Sequence, residues 1–168
     1  MISVSKRIPV NPPGEAVRLT RKDVWRGLEL KANNALPFVA VMSVCDVRSK
    51  VGNIIERDIE IRGVPYGERV TLNEPESVTF ERTYGPVMGT IRNEILGGED
   101  DLELCFSFDL IPEGMAAGST EEKQFADTMM GDYLKAVDST LSAIRRWTAE
   151  AAPNAQETHD SKNGNEAR

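Results

Sequence analysis

Two periods divide the chain. From Ser43 to Ile111 apolar residues recur at every second position, and after Ser119 they recur every third or fourth. In the second region Met130, Leu134, Val137, Leu141 and Ile144 follow one another at steps of four, three, four and three, and so lie on one helical face. Phe125, Met129 and Tyr133 widen that face, while Lys123, Asp127, Lys135, Asp138 and Arg145 fall largely elsewhere. Ser119-Thr120-Glu121-Glu122 suits a helix start, with hydroxyls to cap free N–H groups and acids at the positive end of the dipole. The spacing predicts one helix over Ser119–Glu150. At ~1.5 Å per residue it forms a rod of about 45 Å, which needs a large apolar partner surface.

The period-two region supplies that surface. It predicts strands over Met42–Val51, Asn53–Arg62, Tyr66–Leu72, Ser77–Arg82, Val87–Leu96 and Leu102–Leu110. The last is the clearest, with Leu102, Leu104, Phe106, Phe108 and Leu110 against Glu103, Cys105, Ser107 and Asp109. Turns at Gly63-Val64, Asn73-Glu74-Pro75-Glu76 and Gly97-Gly98 are short enough to force antiparallel neighbours. Before them, Ile2–Val10 alternates weakly and stops at Asn11-Pro12-Pro13-Gly14. Thr20-Arg21-Lys22-Asp23 is a capping box with Asp in the acidic position, and Val24, Trp25, Leu28 and Ala32 form the buried side of the helix it opens. The plan is α+β: a curved antiparallel sheet of about seven strands around a long C-terminal helix.

Composition narrows the chemistry. The 168 residues suit a single domain over 1–150, and residues 151–168 form a polar tail expected to be disordered. A net charge of −7 with no Lys/Arg stripe argues against nucleic acid and anionic membranes as partners. The first residues lack the pattern of a signal peptide and no long apolar run follows, so a cytoplasmic location with reduced Cys45 and Cys105 is expected. The one histidine, His159, lies in the tail, which disfavours a Ser–His–Asp triad, a Cys–His pair and a His-rich metal site. No glycine-rich phosphate loop is present, and neither a metal nor an organic cofactor is expected.

Three stretches carry a family resemblance. They are Ile8-Pro9-Val10-Asn11-Pro12, then Leu19-Thr20-Arg21-Lys22-Asp23-Val24-Trp25-Arg26-Gly27-Leu28 running on to Leu36-Pro37-Phe38-Val39, and Gly89-Thr90-Ile91-Arg92-Asn93-Glu94-Ile95. Together with the element order they resemble the AtaL-like family, within the SRPBCC or START-like helix-grip superfamily that includes the birch-pollen-allergen relatives. The resemblance covers roughly residues 1 to 150 and implies a hydrophobic cavity between sheet and long helix. Some members lie in fungal secondary-metabolite clusters and others are bacterial proteins of unassigned role. It implies no agreed catalytic motif.

Strand parity then picks candidate residues. Arg57 shares a face with Ile55, Ile59 and Ile61; Tyr66 and Glu68 with Val70 and Leu72; Arg82 with Val78 and Phe80; Asn93 with Ile91 and Ile95. A two-residue turn at Gly63-Val64 puts Ile59 opposite Glu68 and makes Arg57 its diagonal neighbour, while the Asn73–Ser77 loop puts Glu68 opposite Arg82. Arg57, Glu68 and Arg82 therefore read as a satisfied structural network, a ligand anchor, or catalytic groups that stabilise an oxyanion and move a proton. Tyr66, Phe80, Asn93, Phe106, Phe108, Met129 and Tyr133 are the candidate ligand-contacting residues. Cys45 also faces Arg57, as a reactive thiol or as a small core residue.

The function expected from this is binding of a small hydrophobic molecule, in secondary-metabolite biosynthesis, with cyclisation of a polyketide- or peptide-derived intermediate as the chemistry if there is any. A non-catalytic ligand carrier or a regulatory module is the alternative. The oligomeric state has no signature in the sequence.

Overall fold

The computed structural model describes residues 1–160, with side chains through residue 151. The elements are β1 (Ile2–Pro9), α1 (Arg21–Asn33), β2 (Met42–Val51), β3 (Ile54–Ile61), β4 (Val64–Asn73), β5 (Ser77–Tyr84), β6 (Val87–Leu96), β7 (Glu103–Pro112) and α2 (Thr120–Asp160). Helix α2 thus continues ten residues past the expected end at Glu150. The rest of the expected tail, 161–168, lies outside the described residues.

The seven strands form one antiparallel sheet in the order β1-β7-β6-β5-β4-β3-β2. Hairpins build six neighbours in sequence. The first strand returns to pair with the last, Ile2 opposite Leu110 and Ile8 opposite Leu104. Irregular registers in β2 near Val44 and Ser49, and in β4 at Gly67/Glu68, bend the sheet so that it cups α2. The core lies between that concave face and the helices: Ile55, Val70, Val78, Phe80, Ile91, Ile95, Phe106 and Phe108 from the strands meet Leu28 of α1 and Val137, Leu141 and Ile144 of α2. Helix α1 starts at the capping box read from the sequence, with the Thr20 side chain accepting from Asp23 N and Asp23 accepting from Thr20 N. Among the described residues, no helix is long and apolar enough to cross a membrane.

One expected register is corrected. The β3–β4 turn is Arg62-Gly63, both left-handed at φ 50° and 78°, as a tight hairpin whose twist matches its strands requires. This moves the pairing by one residue at the turn. Arg57 is directly opposite Glu68, and Ile59 is opposite Tyr66. The Glu68–Arg82 pairing across β4 and β5 is as expected.

Gly89 is a second backbone constraint. Its φ is +128°, and a Cβ built there would lie 2.0 Å from the Asp109 carbonyl oxygen of β7. Gly89→Ala is expected to cost about 1–3 kcal/mol from the backbone conformation alone, with the clash added to it. Urea denaturation measures this, and a loss below ~0.5 kcal/mol would mean that β6 relaxes there freely.

Candidate functional site

Arg57, Glu68 and Arg82 stand side by side on β3, β4 and β5, with 2%, 2% and 8% of their surface exposed. Their roles differ. Arg57 is fully engaged: Nε and Nη2 donate to Glu68 Oε2 at 2.9 and 2.6 Å, and Nη1 donates to the carbonyls of Lys31 and Ala32 at 3.1 and 2.8 Å. Those carbonyls belong to the last turn of α1, where helix oxygens lack partners and a cation is favoured. Arg57 therefore fastens the end of α1 to the sheet, and Glu68 neutralises it.

Arg82 is less occupied. Its Nε is 3.2 Å from Glu68 Oε1, but neither Nε nor Nη1 makes a hydrogen bond among the described residues. The two observations describe a charge pair whose N–H points off the line to the oxygen. The guanidinium lies over the Tyr66 ring, 4.4 Å from its centroid, as that of Arg57 lies over Phe80 at 5.2 Å. A buried cation backed by an aromatic face, with N–H donors to spare, can donate to an oxygen acceptor.

Arg82 borders two adjoining voids between the sheet and the first half of α2. One, of about 60 Å³, is lined by Lys31, Ala35, Val39, Val41, Met42, Phe80, Asn93, Tyr133 and others, with Arg57 and Glu68 in its wall. The second, of about 220 Å³, is lined by Val64, Tyr66, Val87, Leu110 and Phe125 among others. Ile61, Arg82, Met129 and Asp132 belong to both. Of these four, Met129 has an unbranched, flexible apolar side chain that adapts to an irregular space. Asp132 accepts from Arg62 Nη2 at 2.7 Å and ties the β3–β4 turn to α2 beside the cavity.

The expected contact residues divide. Tyr66, Phe80, Asn93, Met129 and Tyr133 line the voids. Phe106 and Phe108 line neither, because they lie beneath Tyr133, with ring centroids 6.4 and 5.0 Å from it. Their parity is inward, but the helix covers that part of the sheet closely. Burial pushes the Tyr133 hydroxyl up to about 12, against the pull of Arg82, so it stays a protonated hydrogen-bond donor at neutral pH. Cys45 is half-buried and accepts from the Ala35 N–H at 3.4 Å and from Arg57 at 3.6 Å.

Lys31 escaped the sequence reading. It is 7% exposed and sits on the buried side of α1 with Leu28 and Ala32. The signal was present, since Lys31 follows Leu28 at a step of three, on the stripe itself. Burial first, and the Arg57 guanidinium second, hold its amine down to about 8 from 10.5, with Glu68 opposing. The cluster therefore carries three cations, Lys31, Arg57 and Arg82, against the single carboxylate of Glu68, with Asp132 already paired to Arg62.

The same architecture occurs in distant proteins. TTHA0849 from Thermus thermophilus superposes with a TM-score of 0.69 at 11% identity, over 85% of this chain and 97% of that one. The Zhui aromatase/cyclase from Streptomyces sp. R1128 gives 0.66 at 10% identity, over 86% and 94%. A START superfamily protein from Mycobacterium smegmatis gives 0.62 at 16% identity, over 84% and 98%. These likenesses establish a START-like helix-grip fold. No curated protein matches the chain by sequence. The model of one family does match residues 4–151, and the chain belongs to that family, AtaL, described as acetylaranotin biosynthesis cluster protein L.

Proposed function

We propose that the chain binds an apolar small molecule of a biosynthetic pathway and docks a carbonyl, enolate or carboxylate oxygen of that molecule on Arg82. The observation that carries this reading is the Arg82 guanidinium, which is buried, has N–H groups without partners among the described residues and borders both voids. The excess of cations in the wall favours an oxygen bearing negative charge. Aliphatic and aromatic walls with a few convergent polar groups are the usual form of a small-molecule site. The family's link to a biosynthesis cluster and the likeness to an aromatase/cyclase support a polyketide- or peptide-derived ligand.

Cyclisation in such a cavity would proceed chiefly by positioning. The apolar walls fold the chain of the ligand, Arg82 stabilises the oxyanion that develops as a new bond forms, and Tyr133 donates a hydrogen bond or proton to that oxygen. Arg57 and Glu68 keep Arg82 in place and hold α1 against the sheet.

Two fluorescent dyes of similar shape test the anchor. In Arg82→Met the affinity for anionic anilinonaphthalene sulfonate is expected to fall at least tenfold, about 1.4 kcal/mol, while that for neutral N-phenylnaphthylamine changes little. Equal losses for both dyes, or none for either, would remove Arg82 from the binding site.

A further inference from the structure

Lys31 is a buried amine that neither the fold nor the proposed anchor requires. Every other described lysine, at positions 6, 22, 50, 123 and 135, is exposed. Lys31 borders the smaller void beside Ala35, Val39 and Val41, and among the described residues its amine has no hydrogen-bond or ion-pair partner. Of the two carboxylates in that wall, Glu68 is committed to Arg57 and Arg82, and Asp132 to Arg62. A methionine or leucine would fill the same position on α1 without placing a charge in an apolar wall.

We propose that Lys31 is a carbonyl-reactive amine, which condenses with an aldehyde or ketone group of the cavity ligand to form a protonated imine. This rests on the reading of the cavity as a small-molecule site. Two features suit the amine to that chemistry. Its apolar setting disfavours the ammonium, and the guanidinium of Arg57 is fixed beside the α1 terminus. With its amine held down to about 8, roughly one molecule in ten carries it uncharged at pH 7, far more than for a free lysine.

The steps balance without an oxidant or reductant. The Lys31 ammonium first gives a proton to water, and the Nζ lone pair then forms a bond to the carbonyl carbon while the C=O π electrons move to oxygen. A proton shifts from nitrogen to that oxygen to give the carbinolamine. Protonation of the hydroxyl lets it leave as water, and the nitrogen lone pair closes the C=N bond. Overall, one ammonium and one carbonyl become one iminium and one water. The iminium is a better electron sink than the carbonyl, so an adjacent C–H becomes more acidic and a carbon–carbon bond can form there. That is the step a cyclisation needs, and hydrolysis then returns the free lysine.

Reductive trapping tests the assignment on the full chain. The protein is incubated with naphthaldehyde and sodium cyanoborohydride, and the adducts are located by peptide mapping and counted by intact mass. Displacement of N-phenylnaphthylamine by the aldehyde is measured in parallel without reductant. The expected result is a single early adduct at Lys31, formed at least tenfold faster than at any exposed lysine and absent from Lys31→Met. Dye displacement without a Lys31 adduct, or labelling spread over the exposed lysines, overturns the imine and leaves the cavity standing. Neither displacement nor labelling at Lys31 overturns both.

Discussion

Glu68→Gln is expected to destabilise the protein by about 3–5 kcal/mol, the range for removing one partner of a buried ion pair. Both Glu68 oxygens face guanidiniums: Oε2 accepts two N–H groups from Arg57, and Oε1 lies 3.2 Å from Arg82 Nε. Glutamine offers one oxygen and one NH₂. Whichever way it turns, one arginine meets a donor in place of an acceptor, and three cations remain in the wall without a carboxylate of their own. The damage should extend to α1, because Arg57 also holds the last carbonyls of that helix. Urea denaturation gives the size of the loss, and amide exchange at residues 28–33 shows whether the helix end loosens. A loss below ~1 kcal/mol would place the group in a solvated setting, where such pairs contribute little.

Lys31→Met is expected to act in the opposite direction. Unfolded, lysine titrates near 10.5, and in the folded chain Lys31 is held down to about 8. Below about pH 8 both states carry the proton, and burying the ammonium costs up to about 3 kcal/mol. Between about 8 and 10.5 the unfolded chain holds the proton and the folded chain does not, so the stability of the parent rises with pH. Above 10.5 both are neutral and the cost is gone. Methionine removes the charge at every pH, so the variant should be more stable at pH 7, and its advantage should shrink on approaching pH 10. The charged and titratable groups facing Lys31 are Arg57, Arg82, Glu68, Asp132 and Tyr133. Of these, Tyr133 alters the alkaline limb: raised to about 12, it keeps its proton in the folded state after the unfolded state has lost it, so stability falls above pH 10. Thermal or urea unfolding from pH 7 to 9.5 therefore isolates Lys31. A variant less stable than the parent at pH 7, or an advantage that stays flat over that window, would show that the amine is hydrated.

These opposite signs distinguish the parts of one cluster. Arg57 and Glu68 tie α1, β3 and β4 together and belong to the framework. Arg82 and Lys31 burden the fold, since Arg82 places N–H groups without partners, and Lys31 a buried cation, against an apolar void. Buried charge and unsatisfied polarity of this kind are commonly retained where a ligand completes them.

The sequence by itself determined the order of elements, the inward parity of strands β3 to β7 and the capping box of α1. These follow from repeats of two and 3.6 residues and from hydrogen bonds within a few residues, so no distant contact is needed to specify them. It also placed Arg57, Glu68, Arg82 and Asn93 on buried faces, because a period of two leaves each side chain only one of two directions. Registers and helix cover were decided by tertiary structure. The β3–β4 register turned on whether the hairpin used Arg62-Gly63 or Gly63-Val64. A non-glycine residue at positive φ, as at Arg62, is not announced by composition. That Phe106 and Phe108 are covered while Tyr66 and Phe80 border voids depends on how close α2 comes to each part of the curved sheet, and periodicity carries no distance. Lys31 lay on the apolar stripe of α1 in plain view. Only packing shows that its amine is turned into the protein without a carboxylate of its own, because a long side chain on a helix edge can as readily reach water.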